Sequence, residues 1–139
     1  MRPTPPQVAA LAFAAILLFA AATDYVPAFR DAEGRVFGLF RLDVYKDALH
    51  LASGLWALAA GLWSRSAAVT FLRAFGAIYL LDGVVGVLTG SSFLDLSLFL
   101  KGFQDSPLLS NGPHLSLGLA GVVLGWWPWR ARTAAGVAA

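Results

Sequence analysis

The residues with the types and spacing to do chemistry together are His50, His114 and Asp82. The two histidines fall in two similar segments. One reads Asp47-Ala48-Leu49-His50-Leu51-Ala52-Ser53-Gly54 and continues to Gly61. The other reads Asn111-Gly112-Pro113-His114-Leu115-Ser116-Leu117-Gly118 and continues to Gly125. The shared pattern is D/N-x-x-H-L-x-x-G followed by a second glycine, so each half of the chain carries one imidazole at an equivalent place. Asp82 is an ionisable residue inside a long apolar run, a functional candidate in its own right. A carboxylate beside two imidazoles can relay protons, hold a metal, or sit next to a haem with both histidines as axial ligands. For zinc, two histidines and one aspartate make only a catalytic-type set, and there is no H-E-x-x-H motif. No nucleophile motif, phosphate loop or dinucleotide fingerprint is present. The sequence has no cysteine, which excludes disulfides, thiolate metal sites and cysteine nucleophiles.

The same spacing also supports a structural reading. Asp47 and Asn111 suit helix N-caps, with Pro113 in the first turn of the last helix. The histidines then fall at N3, where a side chain reaches back to the cap. Capped helix starts with hydrogen-bonded histidines are the expected reading, and the shared site is the alternative. Positions four and eleven after each histidine lie on nearly its own stripe of the helix, so Gly54, Gly61, Gly118 and Gly125 line up beneath the imidazoles. A second stripe carries Gly76, Tyr79, Gly83, Gly86 and Gly90. Glycine lets helix backbones approach closely, so these stripes are expected to be packing faces. The alternative is room for a flat cofactor. The expectation for cofactors is therefore none assigned, with a haem or pigment on His50 and His114 as the alternative reading.

The elements that position these residues follow from composition. The chain has 139 residues, of which 58% are hydrophobic and 13% charged. A soluble domain is about 45–50% apolar and about 25% charged. Too few polar residues remain to cover a water-facing surface. Four apolar runs predict an all-α protein: a transmembrane four-helix bundle, one membrane domain over 1–139, with spans near 6–23, 47–64, 67–90 and 112–129. The first run also resembles a secretory signal, with Arg2 ahead of it and Ala20-Ala21-Ala22 at its end; it is expected to be retained. The repeat predicts two parallel-related helical hairpins about a pseudo-two-fold axis along the membrane normal.

Lysine and arginine divide evenly between the two edges. Arg2, Arg65, Arg73, Arg130 and Arg132 lie at one edge, in short segments where the positive-inside rule works best. Arg30, Arg35, Arg41, Lys46 and Lys101 lie at the other, among all the acidic residues except Asp82. Both termini are therefore expected in the cytoplasm of a multi-pass inner-membrane protein. Trp63, Trp126, Trp127 and Trp129 form an aromatic belt at that edge. The scattered basic residues and a net charge of +2 do not mark a nucleic-acid binder. The expected partners are the lipid bilayer and other membrane subunits. Two aromatic-rich loops, 36–40 and 93–100, either lie along the interface or cap the bundle, with Phe93, Leu96 and Leu100 sharing a helical face.

From Phe37-Gly38-Leu39-Phe40 through Asp47-Ala48-Leu49-His50 to Gly54, the chain resembles a domain-of-unknown-function family of small four-helix bacterial membrane proteins. That family shows an F-G-x-F loop, then N-x-x-H-N-x-x-H and a glycine-rich helix. A third helix carries a tyrosine–glycine pattern, matched by Ile78-Tyr79-Leu80-Leu81-Asp82-Gly83. A second histidine precedes glycines in the last helix, matched by His114 to Gly118. The chain departs where Asp43 and Lys46 replace the first Asn and His, and at Asp82, where the pattern expects an apolar residue. The resemblance implies the four-helix fold and no activity. The expected function is a non-enzymatic structural or accessory membrane subunit. The alternatives are a haem or pigment protein and a small transporter or proton relay through Asp82.

Overall fold

A computed structural model of the chain describes residues 2–100 and 106–129. Lys101, Asp105, Arg130 and Arg132 lie outside the described residues. The architecture is all-α. The helices are α1 (Pro5–Thr23), α2 (Val44–Trp63), α3 (Arg65–Thr89), the short α4 (Ser97–Leu100) and α5 (Pro107–Trp126). A single 3₁₀ turn spans Pro27–Phe29. No strand occurs among the described residues; the only sheet-like pairing is the isolated bridges of Arg30 with Val36 and of Val36 with Phe40.

Each helix begins where its sequence supplies partners for the free amides of the first turn. Thr4 and Gln7 start α1. The Gln7 side chain accepts from the Thr4 amide at 3.1 Å and donates to the Gly61 carbonyl at 3.0 Å. One residue thus opens α1 and ties it to the end of α2. Asp43 caps α2, its Oδ1 accepting from the amides of Tyr45 and Lys46 at 2.9 and 3.0 Å. Ser64 is extended between α2 and α3, and its hydroxyl accepts from the Ala67 amide at 3.1 Å. One residue therefore both ends α2 and starts α3, which folds the two helices into a tight turn.

Two expected caps are corrected. Asp47 lies in the first turn of α2 rather than at its cap, because Asp43 captures the amides one turn earlier. Asn111 lies inside α5, because Ser106 followed by Pro107 starts that helix a turn sooner. Neither histidine is then at N3, and Pro113 is interior to α5. It removes the amide that would have bonded to the Leu109 carbonyl.

Helices α1 and α2 lie side by side, as do α3 and α5. A Cβ on Gly54 would meet Leu18 at 2.8 Å, and one on Gly61 would meet Leu11 at 2.8 Å, both side chains of α1. The α3–α5 contact is tighter. A Cβ on Gly118 would collide with the backbone of Leu80, and one on Gly76 with the backbone of Gly121 and Val122. Gly83 faces Leu115, Gly86 faces the Asn111 amide and Gly125 faces Arg73. Gly90 departs from the stripe. It ends α3 with φ +82°, a left-handed conformation suited to glycine, and its amide returns to the Gly86 carbonyl at 2.9 Å. The core between the pairs holds Phe13, Leu17, Phe71, Leu72, Phe75 and Tyr79. Phe13 meets Phe75 edge-on, with ring centres 5.3 Å apart.

Two helices, Pro5–Thr23 and Arg65–Thr89, are long and apolar enough to cross a membrane by length and composition. α2 and α5 are 20 residues each but begin with polar residues, Lys46, Asp47 and His50 in one and Asn111 and His114 in the other.

Candidate functional site

The site forms where the C-terminal end of α3 meets the N-terminal half of α5 and the segment after Gly90. Asp82 is fully buried. Four donors converge on its carboxylate. Oδ2 accepts from the Ser92 hydroxyl at 2.6 Å and pairs with His114 Nδ1 at 2.5 Å; Oδ1 accepts from the amides of Phe93 and Leu94 at 2.8 and 2.9 Å. A set of four donors is what an acceptor-only carboxylate needs when it leaves solvent. The hydrogen-bond pattern assigns the proton of the pair to His114 Nδ1, which leaves Nε2 of a neutral ring as an acceptor.

The helix-turn geometry behind this is local. Gly90 turns the chain back, and Ser92 then lies fully buried against Asp82. The Ser92 amide donates to the Ser97 hydroxyl at 2.9 Å, and that hydroxyl donates to the Ser92 carbonyl at 3.0 Å. Asp95 Oδ1 accepts from the Ser97 amide at 2.9 Å, and Leu96 adopts φ +62° to make the turn. The loop 93–100 therefore caps the helix ends with its polar side. It leaves Leu96, Leu98, Phe99 and Leu100 exposed. Phe93, Leu96 and Leu100 do not share a helical face, because only Ser97–Leu100 is helical.

The structure brings both histidines together. Their ring centres are 6.3 Å apart with the planes perpendicular. His50 Nδ1 is buried and has no hydrogen-bond partner among the described residues. Tyr79 lies 5.1 Å from the His114 ring, but its hydroxyl pairs with the Ser53 hydroxyl at 2.8 Å rather than with Asp82. Asn111, close below, donates from Nδ2 to the Pro107 carbonyl at 2.8 Å while its other face rests on Gly86. The Asp47 carboxylate beside Tyr25 holds that phenol above its usual range.

A cavity of about 230 Å³ opens beside the imidazoles. His50, His114, Lys46, Asp95 and Ser110 form its polar wall; residues of α1 around Ile16 and Phe19 form an apolar one. Lys46 bridges Asp43 at 2.8 Å and Asp95 at 3.6 Å. Partial burial pushes the Asp43 carboxyl up, but the Lys46 side chain and the amides of the first turn outweigh it and hold the group below its usual value.

Rings with centres 6.3 Å apart are near enough to share one iron only where a nitrogen of each faces the other, each metal–nitrogen bond being about 2 Å. The space is too small. Ligand pockets run from roughly 300 to 1,000 Å³, and a macrocycle needs more than this cavity offers. Among the described residues no three His, Cys, Asp or Glu side chains form a metal-holding group.

Sequence reasoning missed Ser92, Ser97, Asp95, Lys46 and the amides of Phe93 and Leu94 as partners. The available signal was the polar series Ser91, Ser92, Asp95 and Ser97, set among apolar residues just after a helix-ending glycine. An apolar interface loop has no need of it.

An all-α chain with two helices fit to cross a membrane, and a buried aspartate–histidine pair held by a capping loop, defines the class. Residues 7–127 match the family described as Domain of unknown function (DUF4383), and the chain belongs to that family. No curated protein and no solved structure matches it.

Proposed function

We propose that the chain is a multi-pass protein of the bacterial inner membrane. In this reading α1, α2, α3 and α5 cross the bilayer as a four-helix bundle. The bundle is built from two hairpins that descend from one internal repeat, with both termini in the cytoplasm. It acts without catalysing a reaction, as a structural or accessory component of a larger membrane assembly.

One observation carries this reading: every long helix turns large apolar side chains outward, while a few polar side chains are buried with the apolar core. Asp82, Ser92 and Asn111 are essentially inaccessible, whereas Phe19, Leu55, Leu81, Leu88 and Leu119 are each more than half exposed. Exposed apolar surface on every long helix is a liability in water and a requirement in lipid. Backbone contact through glycine is how helices associate where burial from water gives no driving force. The non-catalytic reading is supported by the aspartate's own bonds. Both Asp82 oxygens are occupied by the chain itself, so the carboxylate serves as the clasp of the 92–97 segment.

The test is fractionation followed by native electrophoresis and absorption spectroscopy. The protein is expected to remain in the membrane pellet after alkaline carbonate extraction. It should migrate in mild detergent as part of a complex larger than its monomer, and show no Soret band. Release into the supernatant, or a haem spectrum at stoichiometric intensity, would overturn the reading.

A further inference from the structure

The cavity beside the histidines has no part in the accessory reading. Its charged lining residues are already committed: Lys46 is shared by Asp43 and Asp95, and Arg41 has an interaction of its own. Each charged lining residue thus has a partner within the chain. What the polar wall does offer is two imidazoles. His114 lines the cavity with its Nδ1 engaged by Asp82, so Nε2 is the atom it can present, an acceptor in the neutral ring. His50 lines the same cavity and holds a buried Nδ1 without a partner among the described residues. The opposite wall, around Ile16, Leu17 and Phe19, is apolar, and Ile16 and Phe19 are also more than half exposed on the outer face of α1. The cavity lies between α1 and α5, two helices that touch little, and the 36–42 segment and the first half of α2 complete its lining.

We propose that this cavity binds an uncharged amphiphile whose head carries a hydroxyl group. The hydroxyl donates to His114 Nε2, and its oxygen lies within reach of the second imidazole, His50. The hydrocarbon part leaves through the α1–α5 cleft along Ile16 and Phe19. Size supports this occupant. With a water taking about 30 Å³, the cavity holds on the order of eight such groups, enough for a head and the first carbons of a tail.

With only two histidines in the chain, ¹⁵N-histidine labelling gives a simple spectrum. The full chain is placed in phosphatidylcholine nanodiscs and titrated with 4-hexylphenol. The same titration is run with 4-hexylanisole, which has the same body and no hydroxyl donor. The phenol should shift the His114 Nε2 resonance saturably, and the anisole should bind at least tenfold more weakly. Two cavity-filling variants outside the aspartate–histidine pair, Ala20→Phe and Leu117→Trp, should each weaken phenol binding at least tenfold. Their ligand-free histidine resonances report that the pair is intact. Equal shifts from phenol and anisole, a shift that does not saturate, or full binding in a correctly folded cavity-filling variant would overturn the proposal.

Discussion

At the scale of single residues, Asp82 is the pivot. It joins three stretches of chain: α3, which carries it, the 92–97 segment, whose hydroxyl and amides it accepts, and α5, through His114. Asp82→Asn keeps the shape but puts an amide N–H where only donors converge. The substitution should destabilise the protein by on the order of 3 kcal/mol, because buried donors are left unpaired. Ser92→Ala removes one hydroxyl from the same carboxylate and should cost about 1–2 kcal/mol. Thermal melting in detergent gives the ranking, and amide exchange at Phe93 and Leu94 should rise in both variants. If Asp82→Asn melts like the wild type, the clasp is not what holds the loop. Asp82, His50 and His114 stand out in the sequence as the polar residues of apolar runs. The partnership of Asp82 with Ser92 does not, because it depends on the turn at Gly90 and on the strained Leu96, which composition does not encode.

At the scale of elements, the helices were legible and their starts were not. The four apolar runs correspond to α1, α2, α3 and α5, but α2 and α5 each begin about a turn before their apolar residues do. Their capping signals, Asp43 and Ser106-Pro107, sit upstream among polar residues that hydropathy discounts. Glycine placement was legible for a physical reason: a missing side chain on a helix face has meaning wherever a neighbour approaches. Its grade was not legible. A Cβ on Gly54 would meet a flexible leucine side chain first, with the Leu18 backbone nitrogen at 3.1 Å, whereas one on Gly118 would meet the Leu80 backbone nitrogen at 2.3 Å. Gly118→Ala should therefore destabilise by about 1–3 kcal/mol or more, as overpacking against an unyielding neighbour does. Gly54→Ala should cost distinctly less, because Leu18 can change rotamer. Equal losses in melting temperature would contradict this ordering of the two helix contacts.

The start of α2 also has a pH dependence. The Asp43 carboxyl is held below its usual value, about 3.9. A depressed carboxyl contributes stability that is present above its unfolded pKa and is lost as pH falls through the folded one. Amide protection at Tyr45 and Lys46 should thus hold at neutral pH and fall away below roughly pH 4. Asp43→Asn keeps a capping oxygen and should flatten that dependence. Unchanged acid sensitivity of those two amides in the variant would assign it to another group.

At the scale of the whole molecule, the apolar surface exposed on every long helix, around a core that also buries Asp82, Ser92 and Asn111, is the property from which the membrane reading follows. The four long helices and their order were visible in the sequence; the short α4 makes a fifth among the described residues. The crossing of α2 and α5 is a proposal that rests on their exposed faces, Leu51, Leu55 and Trp56 in one and Leu119 and Val123 in the other. The chain has no cysteine, so single-cysteine variants need no background removed. The most direct test labels such variants in intact cells and in inverted vesicles with a membrane-impermeant maleimide. Ser66→Cys, at the α2–α3 turn, should react only from the cytoplasmic side. Glu33→Cys, between α1 and α2, and Ser91→Cys, after α3, should react only from the outer side. Labelling of Ser66→Cys and Glu33→Cys from the same side would mean that α2 does not cross the bilayer, and would contradict the account.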